Sequence, residues 1–352
     1  FSYPEKFLSV SCESLHADVA FVSKSFENNI PMVQRLLKKA LNSAQEGLAK
    51  PKTRKKKVRP DNHIDMKLGT GWHKRNFLAE VVIPSLFTKR TGDRLKPKFP
   101  ELKDNQIGIT WIGHASFLIQ TREHSILIDP NWAKWLKVIK RIRHPGIEIH
   151  DLPAIDLVLV THAHFDHLDR KTLRTVARDQ PIIVPEHVGN LVHGLGFDHV
   201  RELCRWQTYE MGSLKITLTP ASHWGARLLH DHHRGFGGFL IEYEGRSIFH
   251  CGDSAYFDGF KEIGERTNVE IALLPIGAYD APTKRDVHMN PEEALQAFQE
   301  LKADRMIPMH YGTFRLSYEP MHEPPERLLK CADTLKIGDR ISILTEGMPQ
   351  VF

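Results

Sequence analysis

Residues 157–169 read Leu-Val-Leu-Val-Thr-His-Ala-His-Phe-Asp-His-Leu-Asp, and this stretch decides how the rest of the chain is interpreted. Its apolar, partly β-branched beginning is typical of a buried strand, which we predict to end at Thr161. Three histidines and two aspartates follow within eight residues. In extended backbone, side chains two positions apart point to the same side, so His162 and His164 can bind one ion together.

The residue types in this stretch are those of a transition-metal site. Asp166 and His167 come directly after the first histidine pair and can turn toward a second ion. Neutral imidazole and carboxylate ligands suit zinc, and they also suit iron or manganese. A lone histidine after a strand is more often a surface residue than a ligand. Five ligand-type residues in this pattern favour a metal site.

Length and composition are ordinary for a globular protein. The chain has 352 residues, 41% of them hydrophobic and 26% charged, which allows one large domain or two small ones. No apolar run approaches the roughly 18 residues needed to cross a bilayer. The four cysteines show no Cys-x-x-Cys spacing, which indicates reduced thiols. We therefore expect a cytoplasmic or peripheral membrane-associated protein, and because the chain begins with Phe1, an earlier leader is compatible with the sequence.

The net charge of +5 has a local origin. Residues 50–59, Lys-Pro-Lys-Thr-Arg-Lys-Lys-Lys-Val-Arg, hold seven basic residues and no acidic one, so the rest of the chain is slightly acidic. We interpret this run as a flexible linker, although contact with anionic lipid or nucleic acid is a second interpretation. The expected organisation is an N-terminal helical extension with the linker at 1–60, an irregular lead-in that packs on the core at 61–104, and the main domain at 105–352.

Regular structure is predicted from residue 107 onward. Asn290, Pro291 and Glu293 form a helix start with a capping box. Hairpins first, and then alternating strands and helices, indicate two sheets with helices outside them. The predicted strands are 107–112, 116–120, 125–128, 156–160, 181–184, 214–219, 239–243, 246–249, 271–275, 305–309 and 340–344, and the predicted helices are 171–178, 186–195, 291–303 and 324–335.

Three later residues with ligand chemistry also follow predicted strands. His223 comes after 214–219, Asp253 after 246–249 and His310 after 305–309. Strand ends converge at one edge of a sheet, where sites of this kind form, so we expect these residues to join the first motif. Two ions roughly 3.5–4 Å apart lower the pKa of a bridging water and create a hydroxide nucleophile. Such a site hydrolyses esters, amides or phosphodiesters.

The first motif resembles the His-x-His-x-Asp-His signature of the metallo-β-lactamase superfamily. The resemblance implies an α/β (α+β) fold, built as a four-layer αββα metallo-β-lactamase sandwich, with a hydrolase domain at 105–352. It also implies two zinc ions. The implied ligands are His162, His164 and His223 for one ion, Asp166, His167 and His310 for the other, and Asp253 as the bridge between them.

Further segments resemble the branch of this superfamily that holds the N-acylphosphatidylethanolamine-hydrolysing phospholipase D. The similarity covers about residues 105–347. Segments that carry it include Trp-Ile-Gly-His-Ala-Ser at 111–116, Asp-Pro at 129–130, Thr-Pro-Ala-Ser-His-Trp at 219–224, His-Met-Asn-Pro-Glu-Glu-Ala at 288–294 and His-Tyr-Gly-Thr-Phe at 310–314.

This closer resemblance implies a phospholipase D-type reaction. N-acylphosphatidylethanolamine would be hydrolysed to N-acylethanolamine and phosphatidic acid by the metal-bridging hydroxide. Asp166, Asp253 and His288 would be the catalytic residues, with His288 contacting the phosphate. We expect His114 to support the site from behind the ligands, and Asp169 to orient a ligand histidine.

Other activities stay open at this point. A lactonase that acts on a soluble phosphorylated sugar lactone shares much of the motif set, and a nuclease of the same superfamily could use the basic run. We find no interleaved basic and aromatic residues near the site, so nucleic acid is not the expected partner. The expected partner is a phospholipid substrate with peripheral membrane contact. Residues 81–87, Val-Val-Ile-Pro-Ser-Leu-Phe, could insert at the membrane interface or pack on the core.

Overall fold

The computed structural model describes residues 75–228, 231–283 and 286–352. The extension and basic linker expected at 1–60 lie outside this part of the chain and stay a prediction. The same holds for the first part of the lead-in expected at 61–104. Within the described residues, no helix combines the length and the apolar character that crossing a bilayer requires.

The described part of the lead-in contacts the main body of the domain. A segment with π-helical hydrogen bonds, Leu78–Val82, continues into helix α1 (Ile83–Phe87). The apolar run at 81–87 is divided between core and surface, because Val81 is fully buried whereas Phe87 is 84% exposed. Lys140 Nζ donates to the carbonyl of Leu86 near the end of α1 and to that of Thr88, the residue that follows the helix.

Two sheets form the centre of the fold. The first sheet has seven strands, which in spatial order are β15 (Gln350–Val351), β1 (Gly108–Gly113), β2 (Ser116–Gln120), β3 (Ser125–Ile128), β6 (Leu157–Leu159), β7 (Ile182–Pro185) and β8 (Val200–Leu203). The second has six strands, β14 (Arg305–Met309), β13 (Ile271–Pro275), β12 (Arg246–His250), β11 (Gly238–Tyr243), β10 (Leu214–Thr219) and β9 (Thr208–Met211). A separate hairpin contains β4 (Trp135–Leu136) and β5 (Ile139–Lys140).

Helices cover the outer faces of both sheets. They are α2 (Arg170–Val176), α3 (Gly259–Arg266), α4 (Pro291–Glu300) and α5 (Glu323–Thr334). The alternation along β2 shows how the layers form: Phe117 packs in the core cluster that contains both sheets, whereas Leu118 packs in a second cluster with Leu173 of α2. Phe260 of α3 and Phe298 of α4 join the first cluster. The predicted four-layer αββα sandwich is confirmed.

Five of the predicted strands have the predicted bounds, namely β2, β3, β10, β13 and β14. The helix predicted at 186–195 is wrong, since only a 3-10 turn forms, at Gly189–Leu191. The carboxylate of Glu202 accepts hydrogen bonds from the backbone amides of His187 and Gly189. His187 also has a φ of 62°, which lies outside the right-handed helical region.

The last strand predicted, at 340–344, is also wrong. Ile341 forms a single bridge with Met306, and the ladder does not continue. Gly347 then donates to the carbonyl of Trp111 in the first sheet, 2.8 Å away, so the chain crosses from the second sheet to the first. The final strand is therefore β15, which pairs with β1.

The capping box of α4 allows a test of how this helix is stabilised. Asn290 Oδ1 accepts from the Glu293 amide and Glu293 Oε2 accepts from the Asn290 amide, each at 2.9 Å. We expect Asn290→Ala to lower the free energy of unfolding by about 1 kcal/mol, because one buried helix amide loses its acceptor. Urea unfolding measures this change. Gln299→Ala, on the exposed side of the same helix, is the control, and an equal loss in that variant would contradict the assignment.

Candidate metal centre

The topology brings the predicted ligands to one edge of the two sheets. In the second sheet, β11 is antiparallel to both β10 and β12, and β12, β13 and β14 are parallel. Strands β10, β12 and β14 therefore run in the same direction, and the segments after them carry His223, Asp253 and His310 to the same edge. The motif after β6 of the first sheet reaches this edge as well, because its donor atoms lie within 4.8 Å of the later ones.

One group of donors contains His162, His164, His223 and Asp253. His164 Nδ1 lies 2.9 Å from His162 Nε2 and 3.2 Å from His223 Nε2. Asp253 Oδ2 lies 3.6 Å from His162 Nε2 and 3.7 Å from His223 Nε2. Ligands at about 2.0–2.1 Å from a tetrahedral zinc ion are about 3.3 Å apart. The four donors thus have the spacing of ligands on a single ion.

A second group lies on the other side of Asp253. Asp166 Oδ2 is 3.7 Å from His167 Nε2 and 3.5 Å from His310 Nε2. Asp253 faces both histidines, with Oδ2 at 3.2 Å from His167 Nε2 and Oδ1 at 3.2 Å from His310 Nε2. Asp253 therefore contacts both groups, which is the position expected of a bridging ligand.

Unpartnered buried atoms show that these residues fit a cation. His167 Nε2, His310 Nε2 and Asp253 Oδ1 are buried and have no hydrogen-bond partner among the residues that the structure describes. Buried polar atoms without partners are rare because they forgo the hydrogen bonds that water would provide. All three atoms point to the same small region, and a divalent metal ion would satisfy them together.

The histidines of the first group have the protonation state that metal ligands need. Burial lowers the pKa of His162 and of His223 well below the usual value, and that of His164 to about 4. These three imidazoles are therefore neutral at physiological pH. Neutral imidazole is the form that offers a lone pair to a metal.

The carboxylates of the second group attract positive charge. Burial opposes ionisation of Asp166 and Asp253, but the surrounding histidines, with His167 first among them, together outweigh it and keep the pKa of both carboxyls well below the usual value. Burial likewise disfavours a charged His310, yet the carboxylates of Asp253 and Asp166 together raise the pKa of His310 to about 9. A divalent cation would supply the positive charge that these carboxylates demand.

Asp129 is a functional residue that the sequence analysis missed. Its Oδ2 lies 2.7 Å from His167 Nδ1, and both residues are fully buried. Its two carboxylate oxygens also accept from the backbone amide and the hydroxyl of Thr161, each at 2.7 Å. The ring of His167 is thereby held with Nε2 toward the donors. The sequence feature that could have identified Asp129 is its position directly after β3, the strand that pairs with β6.

The role expected for Asp169 is wrong. Its carboxylate caps α2 by accepting from the Thr172 amide at 3.1 Å and from the Thr172 hydroxyl at 2.6 Å. His114, in contrast, lies behind the ligands as expected. Its Nε2 is 3.0 Å from Asp166 Oδ2, and burial lowers the pKa of His114 to about 3, so a neutral ring donates to the carboxylate.

A cavity of about 410 Å³ opens beside the donors. His164, Asp166 and Asp253 line its polar end together with His288, whose Nε2 is 3.2 Å from Asp253 Oδ2. Apolar side chains of the β4–β5 hairpin and of neighbouring loops form most of the remaining wall, among them Leu136, Val138, Ile139, Val287 and Leu316.

Comparison with known proteins agrees with this geometry. Residues 124–311 match the family described as the beta-lactamase superfamily domain. An uncharacterized protein of Mycobacterium tuberculosis is 32% identical over 65% of this chain and 65% of its own length. The mitochondrial N-acyl-phosphatidylethanolamine-hydrolyzing phospholipase D of Saccharomyces cerevisiae is 35% identical over 69% of this chain and 55% of its own length.

The chain thus spans less than two thirds of the length of these two relatives. Among solved structures, a metallo hydrolase from Ignicoccus hospitalis shares the fold, with a TM-score of 0.56 and 24% identity over 70% of this chain and 99% of that one. The matched family, these relatives and the shared fold are all consistent with the two groups of possible metal ligands described above. The chain belongs to the metallo-β-lactamase superfamily, in the branch that includes the N-acylphosphatidylethanolamine-hydrolysing phospholipases D.

Proposed function

We propose that this protein is a phospholipase D-type phosphodiesterase that hydrolyses N-acylphosphatidylethanolamine to N-acylethanolamine and phosphatidic acid. The observation that carries the proposal is the position of two donor groups, joined by Asp253, at the polar end of a largely apolar cavity. An amphiphilic phosphodiester suits such a cavity, because its charged part can reach the donors while its hydrocarbon part contacts the apolar wall. The yeast relative with this named activity supports the same choice.

We infer two zinc ions, one for each donor group, and the same ligands would also accept iron or manganese. When bound, such ions would provide Lewis acidity and would lower the pKa of the attacking water. His162, His164 and His223 would hold the first ion, Asp166, His167 and His310 would hold the second, and Asp253 would contribute to both sites.

The protein's own residues have distinct tasks in the proposed reaction. Asp166 and Asp253 are ionised and lie at the polar end of the cavity, where they can accept hydrogen bonds from the attacking water and orient it. His288 lies beside Asp253 at the cavity wall and is placed to donate to a phosphate oxygen. Water adds to phosphorus, the bond to the ethanolamine oxygen breaks, and that oxygen receives the proton.

A lipid substrate requires access from a membrane surface, and we propose peripheral contact through the side that carries the cavity. Val138, at the tip of the β4–β5 hairpin, lines the cavity and is 61% exposed, and Phe87 is 84% exposed. Helix α1, which ends at Phe87, is fastened to the same hairpin through Lys140. Exposed apolar side chains beside a substrate cavity suit insertion into a lipid interface.

The activity itself is the first prediction from this proposal. Purified protein with about two metal ions per chain should release N-acylethanolamine and phosphatidic acid from N-acylphosphatidylethanolamine in mixed micelles. We expect Asp253→Asn to lower kcat/KM roughly a thousandfold or more and to reduce the metal content, because both donor groups lose a charged ligand. Mass spectrometry of the products and metal analysis of the same samples provide the measurements.

Each negative outcome of this experiment would reject a different part of the proposal. Two metal ions without lipid turnover would retain the site and reject the lipid substrate, in favour of a soluble phosphoester such as a phosphorylated lactone. Protein that binds no metal would reject the assignment of the donor groups. Full activity in Asp253→Asn would reject the role of this carboxylate.

Asp129 and Asp169 form a matched pair for testing ligand support. We expect Asp129→Asn to weaken metal binding about 10–100-fold, because His167 loses the carboxylate that orients and polarises its ring. Competition with a chelator of known affinity measures this change. Asp169→Asn is the control: it removes the same charge near the same motif, but an asparagine still caps α2. Equal weakening in both variants would show that local charge, and not the contact with His167, is responsible.

A further inference from the structure

One lysine projects into the cavity wall from the tip of the β4–β5 hairpin. Lys137 and Val138 form the two-residue turn between the strands, and Lys137 has a φ of 56°. Its Nζ lies 4.4 Å from the centroid of the Phe165 ring. Phe165 lies between ligands His164 and Asp166 in the motif. The ammonium group is thus held by a ring of the metal-binding loop, in the wall of the cavity that the donors also line.

Arg227 packs on the same ring, but it already donates hydrogen bonds to carbonyls of the protein. Its guanidinium carbon is 4.0 Å from the Phe165 centroid. Its Nη1 donates to the carbonyls of Ala163 and Leu168, at 2.7 and 2.8 Å. Arg227 therefore fastens the two ends of the motif together, and this leaves it fewer donors for a ligand.

Lys137 differs from Arg227 in its polar contacts. Among the residues that the structure describes, no carboxylate forms an ion pair with Lys137 and no carbonyl accepts a hydrogen bond from it. An ammonium group has three N–H donors, and all three are free to meet a ligand in the cavity. The side chain is exposed at the rim, so a ligand can reach it without displacing protein contacts.

Apart from Lys137 and Arg227, the cavity mainly offers apolar contacts along the wall and acidic or imidazole groups at its polar end. We propose that Lys137 is a specificity-determining residue that selects anionic substrates, by pairing with a phosphate oxygen that the metal centre does not hold. The inference rests on the proposed function, because it takes the phosphate to be that of the cleaved phosphodiester or of its phosphatidic acid product. It adds a recognition element that lies outside the ligand set.

Two short-chain ligands test the inference by binding. Dihexanoylphosphatidic acid and dihexanoylglycerol share the same apolar body and differ in the phosphate. Calorimetry with the metal-loaded protein should show that Lys137→Met weakens binding of the phosphatidic acid about fivefold to tenfold and leaves the neutral ligand unchanged. Lys137→Arg should stay within about twofold of the wild type, because it preserves the charge. The difference between wild type and Lys137→Met should shrink as NaCl is raised.

Lys134→Met is the matched control, because Lys134 is an exposed lysine three residues earlier that does not line this cavity. The inference is overturned if the wild type does not prefer the anionic ligand, if Lys137→Met alters both ligands equally, or if Lys134→Met has the same effect. A protein that hydrolyses no lipid, but loses phosphatidic acid affinity in Lys137→Met, would reject the proposed function and keep this inference. Lipid hydrolysis with unchanged phosphatidic acid binding in Lys137→Met would support the proposed function and reject this inference.

Discussion

Asp253 imposes the constraint on which the rest of the site depends, because its carboxylate is buried and ionised. A buried charge is costly unless other charges and hydrogen-bond donors surround it. Imidazole nitrogens do so here, at 3.2–3.7 Å from its oxygens. Several of those nitrogens are neutral or lack a partner of their own, so the protein alone satisfies the cluster incompletely. A cation that the donors share would satisfy these remaining atoms.

Three residues of the site and its immediate support have an unusual backbone conformation. His114, Asp129 and His310 all have positive φ, at 57°, 44° and 61°. Such conformations cost non-glycine residues of order 1 kcal/mol each, and they persist where surrounding structure enforces them. Gly277 permits one of the close approaches, since a Cβ there would lie 2.4 Å from the carbonyl of His310. Each of these three residues comes directly after a strand, β1, β3 or β14.

Residues that follow long buried strands were predictable, and residues fixed by distant contacts were not. His223, Asp253 and His310 each follow a strand of five or six mostly buried residues, so their convergence follows from topology. Asp129 is 38 residues from its partner His167, and a single aspartate after a strand has no distinctive spacing. The false helix at 186–195 has the same origin, because Glu202, further along the chain, occupies its amides. The two-residue strands β4 and β5 are too short to have a sequence signal.

That unpredicted hairpin forms the wall that distinguishes substrates, and it is joined firmly to the metal-binding loop. Arg141, directly after β5, is fully buried and donates from Nη1 to the carbonyl of Asn131 at 2.9 Å. The side-chain amide of Asn131 donates in turn to the carbonyls of Phe165 and Asp166, at 3.0 and 2.8 Å. Any displacement of the hairpin therefore reaches a donor through two hydrogen-bonded residues. The cavity rim and the metal ligands are thus parts of one hydrogen-bonded unit. A substitution in the hairpin can therefore change both substrate selection and ligand geometry.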